Sequence, residues 1–213
     1  MGQKVNPLAF RLKTSINAPD WNSSWYADKK KYPILLMEDK RIREFVQKKL
    51  ASAGVVTIRI ERSTKKIKII LVVSRPGLVI GRGGKELETL KKDIQKLLTK
   101  SSAKINVDIQ VEEFRNVDFS AKLVAEKISF QLAKRMPYRR AVLFAIEKTM
   151  NAGAKGIKVV LGGRINGAEI SRREKFSQGT VPLSTLKSHI DYFETPCLTR
   201  SGYIGIKVYI CLA

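Results

Sequence analysis

Acidic residues are scarce in this chain: 213 residues carry 19 Asp and Glu against 41 Lys and Arg, one His and two Cys. Cys197 and Cys211 form no C-x-x-C pair, which argues against a disulfide framework and a zinc site and fits a reducing compartment. The carboxylates are scattered singly among bases, so neither a paired-carboxylate site nor a metal cluster stands out. His189, beside Ile190, cannot build a triad alone, and no signal selects a nucleophilic lysine. No apolar run reaches the roughly 18 residues of a membrane span, and no isolated basic amphipathic helix is evident. The opening MGQKVNPLAF lacks a signal-peptide core, and Asn6 stands where a myristoylation signal has Ser or Thr. We therefore expect no enzyme, no cofactor, no metal and no membrane association.

What is abundant is positive charge. The formal net charge is +22. It is spread over the length, with excesses of +4 in residues 1–37, +9 in 38–112 and +9 in 113–213. A solvated surface does not require two bases for every acid, so the pattern calls for a polyanion over much of the surface, and nucleic acid fits best. With 44% apolar residues the chain can still bury real cores.

Residues 1–37 mix Pro7, Pro19 and Pro33 with Trp21, Trp25, Tyr26 and the run Lys29 to Lys31, and read as an extended arm with room for one short helix. Its aromatics either stack on RNA bases or cover a domain edge. From Glu38 the spacing of Ile42, Phe45, Val46, Leu50 and Ala53 predicts a helix that Gly54 ends. Val55–Glu61 and Ile67–Val73 read as a β-hairpin, Pro76–Ile80 as a short helix, and Leu87 to Leu98 as a long one. Lys104–Val111 alternates as a half-buried strand.

Beyond a linker at 113–118, helices are expected at Phe119–Arg135 and Pro137–Ala152. Strands follow at 156–162, 167–175 and 201–212, with a helix at Pro182–Ile190 and a strand after it. The fold class is α+β: an α-β-β-α-α-β domain over 38–112, then a second α+β domain over 119–213.

The motif that carries function is Gly81-Arg82-Gly83-Gly84-Lys85, a G-x-x-G between two helices. Glycine there permits positive φ and close approach of a sugar–phosphate strand, the next helix offers free amides, and Arg82 and Lys85 add charge. Its placement within the α-β-β-α-α-β order resembles a type II KH domain. A phosphate-loop reading fails, because its first Gly would be Val79 and its Ser or Thr would be Glu86. Gly162, Gly163 and Gly167 lie between strands and mark a turn. Lys134, Arg135, Arg139 and Arg140 straddle a helix junction as a candidate phosphate grip, and Arg164, Arg172, Arg173, Lys175 and Arg200 form a more dispersed candidate set.

Blocks along the whole chain resemble the small-subunit ribosomal protein three family: MGQKVNP at 1–7, WNSSWYA at 21–27, RPGLVIG at 75–81, GIKVVLGGRINGAEI at 156–170, VPLSTL at 181–186 and GIKV at 205–208. The resemblance implies a KH type II domain and a family-specific C-terminal domain in the head of the small subunit. It implies small-subunit rRNA, mRNA and ribosomal proteins ten and fourteen as partners, without a homo-oligomer. It also implies a basic helix facing incoming mRNA: Arg139 and Arg140 match its leading pair, while Leu143 and Phe144 stand where the next basic positions fall. Asn6 replaces a frequent His, and the chain stops at Ala213 without the longer charged tail of many members, which favours a bacterial or organellar form. The expected location is the ribosome, cytoplasmic or organellar. The rival readings are a free KH regulator and, further off, a nucleic-acid lyase or nuclease.

The charge alone makes a quantitative prediction. Each single-strand phosphate neutralised contributes about −0.7 to the slope of log K against log salt, so six contacts give roughly −4. Filter binding of the purified chain to RNA across a salt series measures it, and a slope near zero removes the electrostatic reading.

Overall fold

The computed structural model describes residues 4–12, 21–63, 66–98 and 106–212. The chain divides into two compact units, Asp20–Arg115 and a second that joins Met1–Pro19 to Asn116–Ala213. Helix α1, Pro7–Arg11, belongs to the second unit. The sequence-based start of a strand at Lys104, and the hairpin residues Thr64 and Lys65, lie outside the described residues.

In the Asp20–Arg115 unit the elements are β1 (Ser23–Ser24), α2 (Tyr32–Lys49), β2 (Val55–Arg62), β3 (Lys66–Val73), α3 (Pro76–Ile80), α4 (Lys85–Leu97) and β4 (Asn106–Glu113). The sheet order is β1-β2-β3-β4, with β2 and β3 antiparallel and β3 and β4 parallel. A parallel pair needs a crossover, and here it carries α3, the glycine loop and α4. Ile42 and Val46 of α2 and Leu90 and Ile94 of α4 pack on Ile60, Ile67, Ile69, Leu71, Val107 and Ile109 of the sheet. The α-β-β-α-α-β order expected from the sequence is the order observed.

Helix α2 begins six residues earlier than its apolar period indicates. Pro33 sits in its first turn, where its missing N–H costs nothing. Ile34, Leu36 and Met37 are about half exposed, so this stretch buries no stripe that would register as periodic. The expected arm over 1–37 is thus, where described, helix α1, strand β1 and the start of α2.

Arg62 clamps this helix to the sheet. Its guanidinium donates to Glu38 Oε2 at 2.8 Å and, through Nε, to Asp39 Oδ1 at 2.8 Å, and all three side chains are at least 94% buried. Asp39 Oδ2 also accepts from Trp25 Nε1 at 2.8 Å and from Ser23 Oγ at 3.1 Å, so the carboxylate fastens β1 as well. Trp25 leans on Tyr32, ring centroids 5.2 Å apart, and covers the unit's edge, while Trp21 is 81% exposed.

The second unit holds α5 (Ala121–Ala133), α6 (Tyr138–Asn151), β5 (Gly156–Gly163), β6 (Arg172–Gly179), β7 (Ile190–Thr199) and β8 (Gly202–Cys211). Its sheet is antiparallel throughout, in the order β6-β5-β8-β7. Ala125, Ile128, Val142 and Ile146 of the helices share a core with Ile157, Val159, Leu161, Ile206 and Val208. Asp191 Oδ2 accepts the Ala121 N–H at 2.7 Å, satisfying one of the free amides that open α5.

Two expectations are corrected. Residues 182–189 are not helical, because their carbonyls turn toward a buried cation. Arg11, 4% exposed, donates to the carbonyl oxygens of Pro182, Leu183, Thr185 and Ser188 at 2.8–3.2 Å. A helix would keep such carbonyls for its own amides. The strand expected from 167 begins only at Arg172, since Asn166 (φ 59°) and Gly167 (φ 79°) hold a left-handed turn that breaks extension.

Replacing Arg62 with Ala removes the cation from two buried carboxylates. The expected loss is about 3–5 kcal/mol, read by urea unfolding of the Asp20–Arg115 unit's transition. A loss under about 1 kcal/mol, the scale of an exposed ion pair, would remove the clamp from the account.

Candidate nucleic-acid interface

The glycine loop closes α3 and opens α4. Gly81 takes φ 70° and donates its N–H to Gly77 O at 3.0 Å, and Gly83 and Gly84 follow at φ 63° and 77°. Gly84 caps α4 without a side-chain hydrogen bond, so the first amides of the helix face outward with the positive end of its dipole. Arg82, Gly83 and Lys85 are exposed, and Leu78 and Ile80 lie about half exposed beside them. A backbone path with cations and an apolar shoulder can accept a single strand, phosphates toward the amides and bases toward the shoulder.

The three glycines are not equivalent. A Cβ built on Gly81 would stand 2.7 Å from Glu86 Cγ, whereas Gly83 and Gly84 face open space. The first glycine therefore shapes the turn, and the other two leave room above it.

At the α5–α6 junction Lys134, Arg135, Arg139 and Arg140 are all exposed. Arg135 itself adopts φ 62°, reversing the chain between the helices. Lys134 Nζ lies 4.2 Å from the Phe130 ring centre. Arg139 Nε donates to Tyr138 Oη at 3.1 Å, and that hydroxyl donates to Glu174 Oε1 at 3.1 Å. The Tyr138 contact first, and the Glu174 charge after it, raise the Arg139 pKa above the ordinary arginine value. Glu174 also holds Arg172 Nε at 3.0 Å, so α6 and β6 share one carboxylate. Leu143 and Phe144 follow Arg140 at three and four residues, about half exposed, and present an apolar surface.

The dispersed set does not stay together. Arg164 and Arg200 join Arg135 around a cleft of about 320 Å³ that Asn166, Ser201 and Tyr138 also line. Arg172, Arg173 and Lys175 instead line a larger groove of about 1050 Å³ on the β6-β5-β8-β7 sheet. Strand register brings Lys158 and Lys207 to that groove, and Lys4 joins them from the segment before α1, three cations the sequence reading did not select. A signal existed: Gly-Ile-Lys-Val occurs at both 156–159 and 205–208, and period-two alternation turns its lysine away from the core. Among the described residues no cluster of His, Cys, Asp and Glu could hold a metal ion, and no helix is long and apolar enough to cross a membrane. Cys197 and Cys211 are buried free thiols, and His189 is exposed.

This topology and its glycine loop define a KH-domain protein with a second α+β unit attached. Family profiles agree: residues 41–118 match the KH domain and 128–210 match "Ribosomal protein S3, C-terminal domain". Small ribosomal subunit protein uS3 of Rhodopirellula baltica is 46% identical over 99% of this chain and 88% of its own length. The uS3 proteins of Lactobacillus johnsonii (48%, 90% of its length) and Methylacidiphilum infernorum (45%, 95%) also align with 99% of this chain. The chain belongs to the small ribosomal subunit protein uS3 family.

The glycine geometry separates two substitutions. Gly83→Ala is expected to cost about 1–2 kcal/mol, the penalty of a left-handed L-residue. Gly81→Ala adds the collision with Glu86 and is expected to cost more and to displace the loop. Thermal unfolding with amide NMR shifts of Arg82–Lys85 distinguishes them, and equal costs would contradict the distinct roles.

Proposed function

We propose that this chain is a constituent of the small ribosomal subunit, binding small-subunit rRNA in the head and contacting mRNA where the message enters. The observation that supports it most is one line of homology to uS3 proteins along 99% of a chain that carries exposed cations on both of its units. In this reading the Gly81–Gly84 loop handles a mobile strand, and the Asn116–Ala213 unit anchors the protein on folded RNA. Lys134, Arg135, Arg139 and Arg140 form the edge turned toward incoming mRNA. Leu143 and Phe144 contribute no charge there, so the grip on structured messages rests on the arginine pair. Ribosomal proteins ten and fourteen are the neighbours in this reading, and the site of action is the ribosome, cytoplasmic or organellar.

Sucrose-gradient sedimentation of tagged chain tests the assignment. Wild type should co-migrate with small subunits through a high-salt wash. Arg82→Asp with Gly83→Asp places two carboxylates against the strand path and should leave incorporation intact. Arg164→Ala, Arg172→Ala and Arg173→Ala together should reduce it, circular dichroism confirming that both variants stay folded. A wild-type pool that stays free of subunits would favour a free KH regulator, and the reverse pattern between the variants would overturn the division of roles.

A further inference from the structure

Strand alternation divides the residues of β6 between two faces. Phe176 packs against the core of the Asn116–Ala213 unit, so Glu174, two residues before it, is turned toward α6, while Arg173 and Lys175 line the groove on the other face. Tyr138, the first residue of α6, meets both Phe176 and Glu174. Its ring stands edge-on to Phe176 with centroids 6.3 Å apart, and its hydroxyl donates to Glu174 Oε1 at 3.1 Å. The same carboxylate oxygen takes Arg172 Nε at 3.0 Å. The hydroxyl in turn accepts from Arg139 Nε at 3.1 Å, so one chain of donors runs from Arg139 through Tyr138 to Glu174.

Consecutive residues of a helix point about 100° apart and do not ordinarily meet. For Arg139 to reach the hydroxyl beside it, its side chain folds back over Tyr138, and its Cζ lies 5.8 Å from the centre of that ring. An arginine at an exposed helix start would otherwise keep its rotamer freedom. Here the Nε edge is engaged, and among the described residues the terminal nitrogens Nη1 and Nη2 have no partner. Those nitrogens can grip a phosphate as a fork. Glu174 would defeat the grip by pairing with Arg139 directly, but its direct pair is Arg172. It reaches Arg139 only through a neutral hydroxyl, so its charge favours the guanidinium without occupying the fork. Arg140, exposed beside it, has no such tether among the described residues.

We propose that Tyr138 and Glu174 are positioning residues for Arg139: the hydroxyl holds the guanidinium by its Nε edge, the carboxylate holds the hydroxyl, and the terminal nitrogens are presented to a phosphate of a message strand passing α6. The inference deepens the message-facing reading of α6 and rests on it. Ordering a long side chain at an interface weakens binding, and in Arg139 that ordering is already present in the free fold. Arg140 is ordered only on contact. The two arginines of the pair thus differ: one is a fixed contact and the other an adaptable one.

Small subunits carrying the full chain test this on two messages, one with a stable hairpin at the entry and one unstructured, with the ratio of their translation rates as the readout. Arg139→Ala sets the scale. Tyr138→Phe keeps the ring on Phe176 and removes only the hydroxyl, and it should lower the hairpin-to-unstructured ratio about twofold or more, the low end of what ordering one arginine is worth. Glu174→Ala should act in the same direction, and Glu174→Gln, whose amide oxygen still accepts from the hydroxyl, should restore part of the loss. In an Arg139→Ala background Tyr138→Phe should add nothing, whereas in an Arg140→Ala background it should keep its full effect. NMR of the free chain gives a second readout: the Arg139 Nε–H should exchange with water more slowly than that of Arg140, and Tyr138→Phe should abolish the difference. The inference falls if Arg139→Ala lowers the ratio and Tyr138→Phe does not. It falls equally if Tyr138→Phe acts as strongly without Arg139 as with it, which would assign the tyrosine to the fold alone. An unchanged ratio in Arg139→Ala would strike the message-facing reading instead, and the Nε–H signal then decides the tether by itself, equal exchange at the two arginines overturning it.

Discussion

Electrostatic self-repulsion is the constraint on which the rest of this structure depends. A compact chain with a net charge of +22 raises its own free energy by holding like charges close, and it lowers that cost by keeping cations at the surface. The arginines it does bury are each tightly met. Arg62 lies between Glu38 and Asp39, and Arg11 is ringed by carbonyl oxygens. Arg43, half-buried, donates to the carbonyls of Asn22 and Ile58, and burial lowers its pKa against the pull of Asp39. Several of the scarce carboxylates, Glu38, Asp39 and Asp191 among them, thus fasten structure. Other cations are displayed on the glycine loop, the helix junction, the cleft and the open sheet face, where a polyanion can complete the charge balance that folding leaves unfinished.

The two units offer a polyanion different surfaces. In Asp20–Arg115 the surface offered is backbone: left-handed glycines, uncapped amides and a helix dipole. In Asn116–Ala213 it is side chains set out by strand register. The first arrangement suits a thin, adaptable strand, and the second suits a rigid surface of fixed phosphate spacing.

Much of the architecture was legible in residue order, because α4 and strands β2, β4 and β8 bury one face and so advertise their period, while β3 and β5, buried on both faces, stand out as β-branched runs. The start of α2 was not, since Ile34, Leu36 and Met37 stay half exposed and leave no stripe. Residues 182–189 read as helix because nothing local reveals that Arg11, more than 170 positions away, claims their carbonyls. The glycine loop was legible as a motif, but the difference between Gly81 and its neighbours depends on where Glu86 folds back. Individual arginines could be named from sequence, yet their sorting into cleft and groove could not. That sorting is a product of pairing between β5, β6 and β8, and it recruits Lys158 and Lys207 while parting Arg164 from Arg173.

The contact between Arg11 and residues 182–188 has a consequence for how the chain is made. The Asp20–Arg115 unit holds all its own strands and helices and can close once residue 115 has left the machinery that synthesises it. Helix α1 emerges far earlier, but the carbonyls that receive its arginine are among the last segments to appear. During vectorial synthesis Arg11 must therefore wait for residues 182–188, and α1 is seated only after the Asp20–Arg115 unit between them has had the chance to fold.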